Sequence, residues 1–320
     1  MRKILLTGAY GFVGTNLSKY LADKKKYTLC ALDQKDNSDI KHYTEFFNWD
    51  EIHKVSNESF DVIIHLAGKA HDTENRTNYQ EYFDINVGLT QSIFDQFLIS
   101  KATTFIFFSS VKAVADTVSG KSLDEDDLPN PLTPYGQSKL AAEKYILSKN
   151  IPSDKKVFIL RPAMIHGPGN KGNLNLLYKF VKSGIPYPLG RFDNQRSFAS
   201  IENINYIIEN LIEQDIKTGI YHVADSDPIS TSDIVNTISK ILGRNPRIWN
   251  VPKPIINFTA QIGGFLGLSV NQETIKKLTE TYIVSNKKIL NAIQSELPNS
   301  ALTGLETSLK SFDNKQQDLF

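Results

Sequence analysis

The chain has a single cysteine, Cys30, among 320 residues. One thiol excludes an intrachain disulfide framework and is compatible with a reducing compartment. A dominant charge sign is also missing: 36 lysines and arginines nearly cancel 35 aspartates and glutamates, leaving a formal +1. Without a basic stripe nothing points to nucleic acid, and an anionic ligand must be held by a few placed groups. The longest apolar runs fall well short of a membrane span. The first residues, Met1-Arg2-Lys3-Ile4, run straight into a strand pattern, with neither the apolar segment nor the small-residue cleavage site of a secretory signal. The expectation is a cytoplasmic protein with small-molecule partners and no metal site. Only residues 255–270 are apolar enough to raise a question of surface association. Internal repeats and low-complexity tracts are lacking, and the acidic run at residues 124–127 reads as a solvated loop.

What is present is an apolar fraction of 40%, enough for a sizeable core. Apolar runs resembling buried parallel strands recur at residues 3–7, 27–32, 62–66, 104–109 and 157–161, with helical patterns at 11–22, 86–99 and 134–148. This is the βαβ rhythm of an α/β protein with a doubly wound parallel sheet. Past residue 162, glycine and proline cluster at Gly167-Pro168-Gly169 and Ile185-Pro186-Tyr187-Pro188, and shorter elements follow, which suggests a smaller C-terminal lobe. Tyr221-His222-Val223-Ala224 could return to the first domain as another strand.

Thr7-Gly8-Ala9-Tyr10-Gly11-Phe12-Val13-Gly14 follows the first strand and opens the first helix. Glycine here permits a tight turn and lets backbone approach a pyrophosphate, which then sits at the positive end of the helix dipole. Gly8, Tyr10, Gly11, Phe12, Val13 and Gly14 are therefore candidate cofactor contacts, although the spacing is GxxGxxG rather than GxGxxG. Asp33 ends the second strand about twenty residues on, where a carboxylate accepts from both ribose hydroxyls of NAD and repels the phosphate of NADP. A turn aspartate is the alternative, and the nearby Lys35 leaves NADP open. Leu66, Ala67 and Gly68 end a later strand and leave room for the cofactor at the carboxyl edge of the sheet. His65 reads as core or as support behind the site.

Tyr135-Gly-Gln-Ser-Lys139 lies downstream of Ser109-Ser110. On a helix, residues four apart share a face, so the Tyr135 phenol and the Lys139 ammonium point into one space. That cation, with a bound cofactor's positive ring, favours the phenolate and lowers its pKa from about 10 toward the working pH. Tyr135 is thus a candidate acid/base, and the segments together read as a nicotinamide-dependent redox site.

In order and spacing, the glycine turn, His65-Leu66-Ala67-Gly68, Ser109-Ser110 and Tyr135-Gly-Gln-Ser-Lys139 resemble the extended short-chain dehydrogenase/reductases of the nucleotide-sugar epimerase/dehydratase group. The resemblance covers nearly the whole length. It implies a Rossmann NAD(P)-binding domain over residues 1–165 and a substrate-binding lobe over 166–320, with residues about 197–225 returning to the first domain. It also implies NAD as cofactor, with NADP left open, a UDP-sugar as partner, and a homodimer built on helices such as 86–99 and 134–148. Ser110, Tyr135 and Lys139 become the catalytic set. Asn86 matches a helix asparagine that helps hold the lysine, with a surface asparagine as the alternative, and Pro162 lies where backbone meets the nicotinamide carboxamide. On the substrate side, Asn173 and Leu174 match a pyrophosphate-binding helix start, and Arg196 matches a diphosphate-pairing arginine suited to bidentate contact.

Where the group's dehydratases carry an aspartate and a glutamate, this chain has Val111 and Lys112, so 4,6-dehydration is not expected. Lys112 is kept as a substrate-side residue. Met164 replaces an asparagine of many epimerases. The Ser-Ser-Val-Lys, Asn-Gln-Arg-Ser and Pro188-Leu-Gly190 pieces look most like the branch acting on UDP-linked N-acetylated 6-deoxyhexoses in bacterial surface polysaccharide synthesis, although Lys112-Ala113-Val114-Ala115 departs from that branch. The expected activity is reduction by NAD(P)H of a UDP-4-keto-6-deoxy-N-acetylhexosamine at C4. The alternative is an NAD-dependent UDP-sugar 4-epimerase of the UDP-glucose or UDP-N-acetylglucosamine type. A non-catalytic sensor on the same fold is the rival from another class. Lys69 and His71 stay outside the catalytic set.

Overall fold

Runs of apolar residues without polar alternation suit strands covered on both faces, and the chain uses them so. The computed structural model describes residues 1–37, 39–70, 79–118, 120–265 and 272–312; His71 and residues 266–270 of the apolar stretch lie outside these. The strands are β1 (Arg2–Thr7), β2 (Tyr27–Asp33), β3 (Glu45–Asn48), β4 (Val62–His65), β5 (Thr104–Phe108), β6 (Lys156–Pro162), β7 (Met164–His166), β8 (Phe198–Ser200) and β9 (Gly219–Val223). The helices are α1 (Phe12–Asp23), α2 (Tyr79–Phe83), α3 (Leu89–Ile99), α4 (Pro134–Ser148), α5 (Asn173–Lys182), α6 (Ile201–Glu213), α7 (Thr231–Ile241), α8 (Lys253–Phe265), α9 (Gln272–Thr279), α10 (Lys287–Ile293) and α11 (Ala301–Ser311).

Seven strands form one parallel sheet in the order β3-β2-β1-β4-β5-β6-β9, while β7 and β8 pair separately. This is the expected doubly wound α/β architecture. Its strand order reverses between β1 and β4, and the crevice at the carboxyl ends of those strands is where such sheets take ligands. The pleat divides the apolar runs between two layers. Ile4 and Leu6 join Ile64, Ile106 and the α6 residues Ile204, Ile207, Ile208 and Leu211. Leu5 goes to the other face with Ile63, Phe105, the α3 residues Ile93, Phe94 and Phe97, and Ala142 and Ile146 of α4.

Helix α4 begins and ends where the sequence pattern places it. Thr133 caps it, accepting from Gly136 N at 3.3 Å, and Pro134 occupies the first turn, where its missing N–H costs nothing. The helical pattern at 86–99 is longer than expected: α2 continues through a π-helical turn (Asp84–Gly88) into α3. The acidic run is a loop with Asp124, Asp126 and Asp127 exposed, as expected, and only Glu125 departs from that reading. Glu125 is half-buried and its carboxylate accepts from His222 N at 2.7 Å, capping the edge strand β9, and burial raises its pKa. A buried polar cluster ties the later elements together. Asp225 accepts from Ser200 N and Oγ at 3.0 Å and from Asn203 Nδ2 at 2.7 Å, while His166 Nδ1 lies 2.8 Å from Ser308 Oγ of α11.

Candidate active site

The glycine turn links β1 to α1 at the crevice. Gly8 has φ +64°, and a Cβ there would stand 2.7 Å from Ala67 N; at Gly14 it would stand 2.5 Å from the Gly8 and Ala9 carbonyl oxygens. Only glycine lets the turn, the end of β4 and α1 approach this closely. Gly11 caps α1 without a side-chain hydrogen bond, and the first turn of α1 holds no acidic residue. The N–H groups of that turn, including those of Phe12 and Val13, are thus left for an anion, so the site fits a dinucleotide pyrophosphate. Asp33 stands at the carboxyl end of β2, accepting from Tyr10 N at 3.1 Å and Gln34 N at 2.7 Å. A carboxylate has about four acceptor positions, so both the turn role and the ribose role are open to it. The Tyr10 hydroxyl donates to Asp36 at 2.6 Å, and its ring stacks on Phe46.

Behind the end of β4, His65 is buried between Thr7 Oγ (2.6 Å) and Thr90 Oγ (3.0 Å), and burial drives its pKa down to about 3. It is a neutral support, as one of its two readings held. Asn86 is 1% exposed, which overturns the surface alternative. It sits in the π-helical turn, donates to the Lys69 carbonyl (3.0 Å) and Ser138 Oγ (2.9 Å), and accepts from Lys69 N (2.7 Å). Its direct hold is therefore on the loop segment that follows Leu66 and Ala67. A side chain on Gly68 would meet both Asn86 Oδ1 and Lys139 Nζ. Lys69 itself pairs with Glu81.

Helix α4 brings Tyr135 and Lys139 to this edge. Lys139 is 5% exposed, and Nζ donates to the Phe108 carbonyl at 2.9 Å. Burial lowers its pKa to about 8, against the raising effect of the Glu143 charge. Ser110, after β5, lies near enough to the Tyr135 phenol to favour its ionised form, and its Oγ accepts from Lys112 N at 3.2 Å. The expected lowering of the Tyr135 pKa is not met by the protein alone. Burial raises it and Tyr82 adds to the rise; the Ser110 hydroxyl opposes, and the Lys139 ammonium is spent on a carbonyl. Pro162 closes β6 beside Val223.

On the substrate side, Lys112 Nζ donates to the Asp116 carbonyl at 2.8 Å and lies 4.2 Å from the centre of the Tyr282 ring. Tyr282 pairs with the Arg196 segment, donating its N–H to Gln195 O at 2.8 Å. Burial pulls the Arg196 pKa down, while Glu280 and Tyr282 act to raise it. Lys112 and Arg196 are thus joined through an aromatic residue that sequence reasoning missed, because no local pattern marks it. Asn173 is exposed at the start of α5, which Gly172 caps without a side chain. The Leu174 side chain is core, packed with Tyr178 and Phe198, so a ligand there meets backbone rather than that side chain. Also missed was a buried ion pair, Glu143 with Arg161, whose only sequence signal is the position of Glu143 four residues after Lys139. Among the described residues no His, Cys, Asp or Glu group is arranged to hold a metal, and no helix is long and apolar enough to cross a membrane.

The model of the NAD dependent epimerase/dehydratase family matches residues 4–224. The chain is 29% identical to UDP-glucose 4-epimerase of Vibrio cholerae, over 97% of this chain and 95% of that one. It is 25% identical to GDP-6-deoxy-D-mannose reductase of Pseudomonas aeruginosa, over 75% of this chain and 80% of that one. In structure it is similar to UDP-glucuronic acid 4-epimerase from Bacillus cereus in complex with NAD, with a TM-score of 0.74 at 22% identity, covering 97% and 98% of the two chains.

Proposed function

The chain belongs to the NAD-dependent epimerase/dehydratase family, and from that premise we propose that it reduces a UDP-4-keto-6-deoxy-N-acetylhexosamine at C4 in surface polysaccharide synthesis. It is an NAD-dependent enzyme of the nucleotide-sugar epimerase/reductase kind. The observation that carries C4 chemistry is the convergence of Ser110, Tyr135 and Lys139 at the carboxyl edge of the sheet, with Val111 and Lys112 in place of the carboxylates of a dehydratase. The glycine turn, Asp33, the end of β4 and Lys139 hold NAD, which when bound supplies the hydride chemistry.

Tyr135 gives its proton to O4 as the ketone becomes an alcohol, and Ser110 holds the same oxygen by a second hydrogen bond. Lys139 contributes positive charge that favours the phenolate left behind. The Arg196 guanidinium and the N–H groups at the start of α5 hold the diphosphate, with Lys112 nearer the sugar. In this proposal residues 1–165 carry the cofactor and 166–320 the sugar nucleotide, with 197–225 returning to the first domain. The enzyme works in the cytoplasm as a homodimer, which light scattering tests.

The 29% identity to a UDP-glucose 4-epimerase over almost the whole chain favours a second reading. In it the same three residues take the proton from O4 and return it after the keto-sugar turns in the pocket. One experiment separates the two. Purified protein is mixed with NADH, then NADPH, and the 4-keto sugar nucleotide, following nicotinamide absorbance and identifying the product by NMR. Stoichiometric loss of reduced cofactor with a new C4 alcohol supports the reductase. No loss, with UDP-glucose or UDP-N-acetylglucosamine converting to its C4 epimer in a parallel tube, moves the assignment to epimerase.

A further inference from the structure

Strand β5 and the turn after it present three consecutive residues, and each is held by a different turn of α4. The Phe108 carbonyl accepts from Lys139 Nζ at 2.9 Å, the Ser109 hydroxyl donates to Glu143, and the Ser110 hydroxyl is close enough to Tyr135 to oppose the rise that burial gives its pKa. Tyr135, Lys139 and Glu143 are spaced four apart and form one stripe on the helix. The first two belong to the proposed catalytic set. Glu143 is 1% exposed and has no access to substrate.

Its carboxylate is clamped by Arg161 of β6, which donates from Nε at 2.9 Å and from Nη2 at 2.6 Å. A buried ion pair is costly to desolvate, and an apolar pair of similar volume often leaves a protein as stable or more so. A buried pair is thus weak evidence of a stabilising role, and this one lies directly behind Ser109. We infer that Glu143 is a positioning residue: clamped by Arg161, it fixes Ser109 and thereby sets Ser110 against Tyr135. This rests on the reading of Ser110, Tyr135 and Lys139 as the catalytic set.

The bidentate clamp stops the carboxylate from rotating, so the acceptor offered to Ser109 stays in one place. Between Ser109 and Ser110 the peptide plane is rigid and only two soft dihedrals per residue intervene. A residue that never meets the sugar can thus fix the hydroxyl that does. Glu143 also acts on charge. The titratable groups about Lys139 are Tyr135 and Glu143 on α4, Tyr82 on α2, neutral His65 on β4 and Arg161 on β6, and Glu143 is the carboxylate that opposes the desolvation of the ammonium.

The test compares three variants with the full-length enzyme on its sugar nucleotide. Ser109→Ala removes the tie but leaves the ion pair whole. Glu143→Gln/Arg161→Met removes both charges together, leaving neither partner buried alone. Tyr135→Phe checks the catalytic set. For Ser109→Ala the expected result is a fall in kcat on the order of ten- to a hundred-fold from misplacement of the reacting hydroxyl, with KM and NAD affinity close to wild type and a melting temperature lowered by the lost hydrogen bond. For the double variant the alkaline limb of the kcat profile, where Lys139 loses its proton, moves to lower pH. Unchanged kcat in Ser109→Ala and an unmoved limb in the double variant, beside an inactive Tyr135→Phe, overturn the inference and leave the catalytic set standing. An active Tyr135→Phe overturns that set and the inference with it.

Discussion

Gly136 follows Tyr135 in the first turn of α4, and a methyl group placed on it would have nowhere to go. Its Cβ would stand 2.3 Å from the Lys112 carbonyl oxygen and 2.9 Å from Pro131 Cβ. The first contact is about 1 Å short of the roughly 3.3 Å at which carbon meets a carbonyl oxygen. The obstacle is backbone of the turn that presents Ser110, so no rotamer change relieves it. Gly136→Ala must therefore move the start of α4 away from that turn by roughly 1 Å, opening the gap between Tyr135 and Ser110. A misplacement of about 1 Å at reacting groups costs on the order of a hundred-fold in rate, and overpacking costs about 1–3 kcal/mol of stability. We expect kcat for C4 reduction or epimerisation to fall by about that factor. Gly88→Ala is the control: nothing lies within 4 Å of its added methyl, and helix propensity predicts a gain of about 0.5–1 kcal/mol. Steady-state kinetics with urea unfolding of both variants makes the check. A folded Gly136→Ala enzyme with wild-type kcat refutes the reasoning.

Asp33→Ala should weaken NAD binding on the order of ten- to a hundred-fold, the loss of charge-assisted hydrogen bonds, with kcat at saturating cofactor little changed; calorimetric titration that finds equal affinity rejects the ribose role. Stability should fall in acid because burial lowers the His65 pKa to about 3 and the His222 pKa to about 4 from 6.5, the Arg161 charge adding to the second. The unfolded chain then binds protons that the native state refuses, so this stability is whole above the unfolded pKa and is lost as pH falls toward about 4, where each histidine accounts for about 3 kcal/mol. His222→Leu should remove about one histidine's share of the drop in urea midpoint between about pH 7 and about pH 4; an identical drop contradicts the assignment. Phe94→Ala empties a fully buried site between Phe97 and Phe105 and should cost about 3–5 kcal/mol by denaturant unfolding; a cost below about 1 kcal/mol would show that the site collapses around the gap.

Much of the fold was legible because period and local chemistry agreed. Helix α4 has its cap at Thr133, its proline at the first position and its Tyr135 to Lys139 spacing all within a few residues. The Gly8 turn was readable because its backbone conformation, φ +64°, favours glycine. Strand β3, by contrast, is four residues long with polar ends, too short to carry a period. Tyr282 and Arg196 meet across distant parts of the chain, and no local pattern announces such a meeting.

By itself, then, the sequence determined the strands β1, β2, β4, β5 and β6 and the helices α1 and α4, where the chain turns toward an anion, and that a phenol and an ammonium share one helix face. Only the tertiary structure decided which face of each strand each apolar layer covers, that Arg161 on β6 clamps Glu143 behind Ser109, and that burial raises the Tyr135 pKa against the fall expected from Lys139 together with a bound cofactor's positive ring. The reason is physical: spacing along a helix is a local property, whereas desolvation depends on everything packed around a group, and that packing exists only once the sheet and both its layers have assembled.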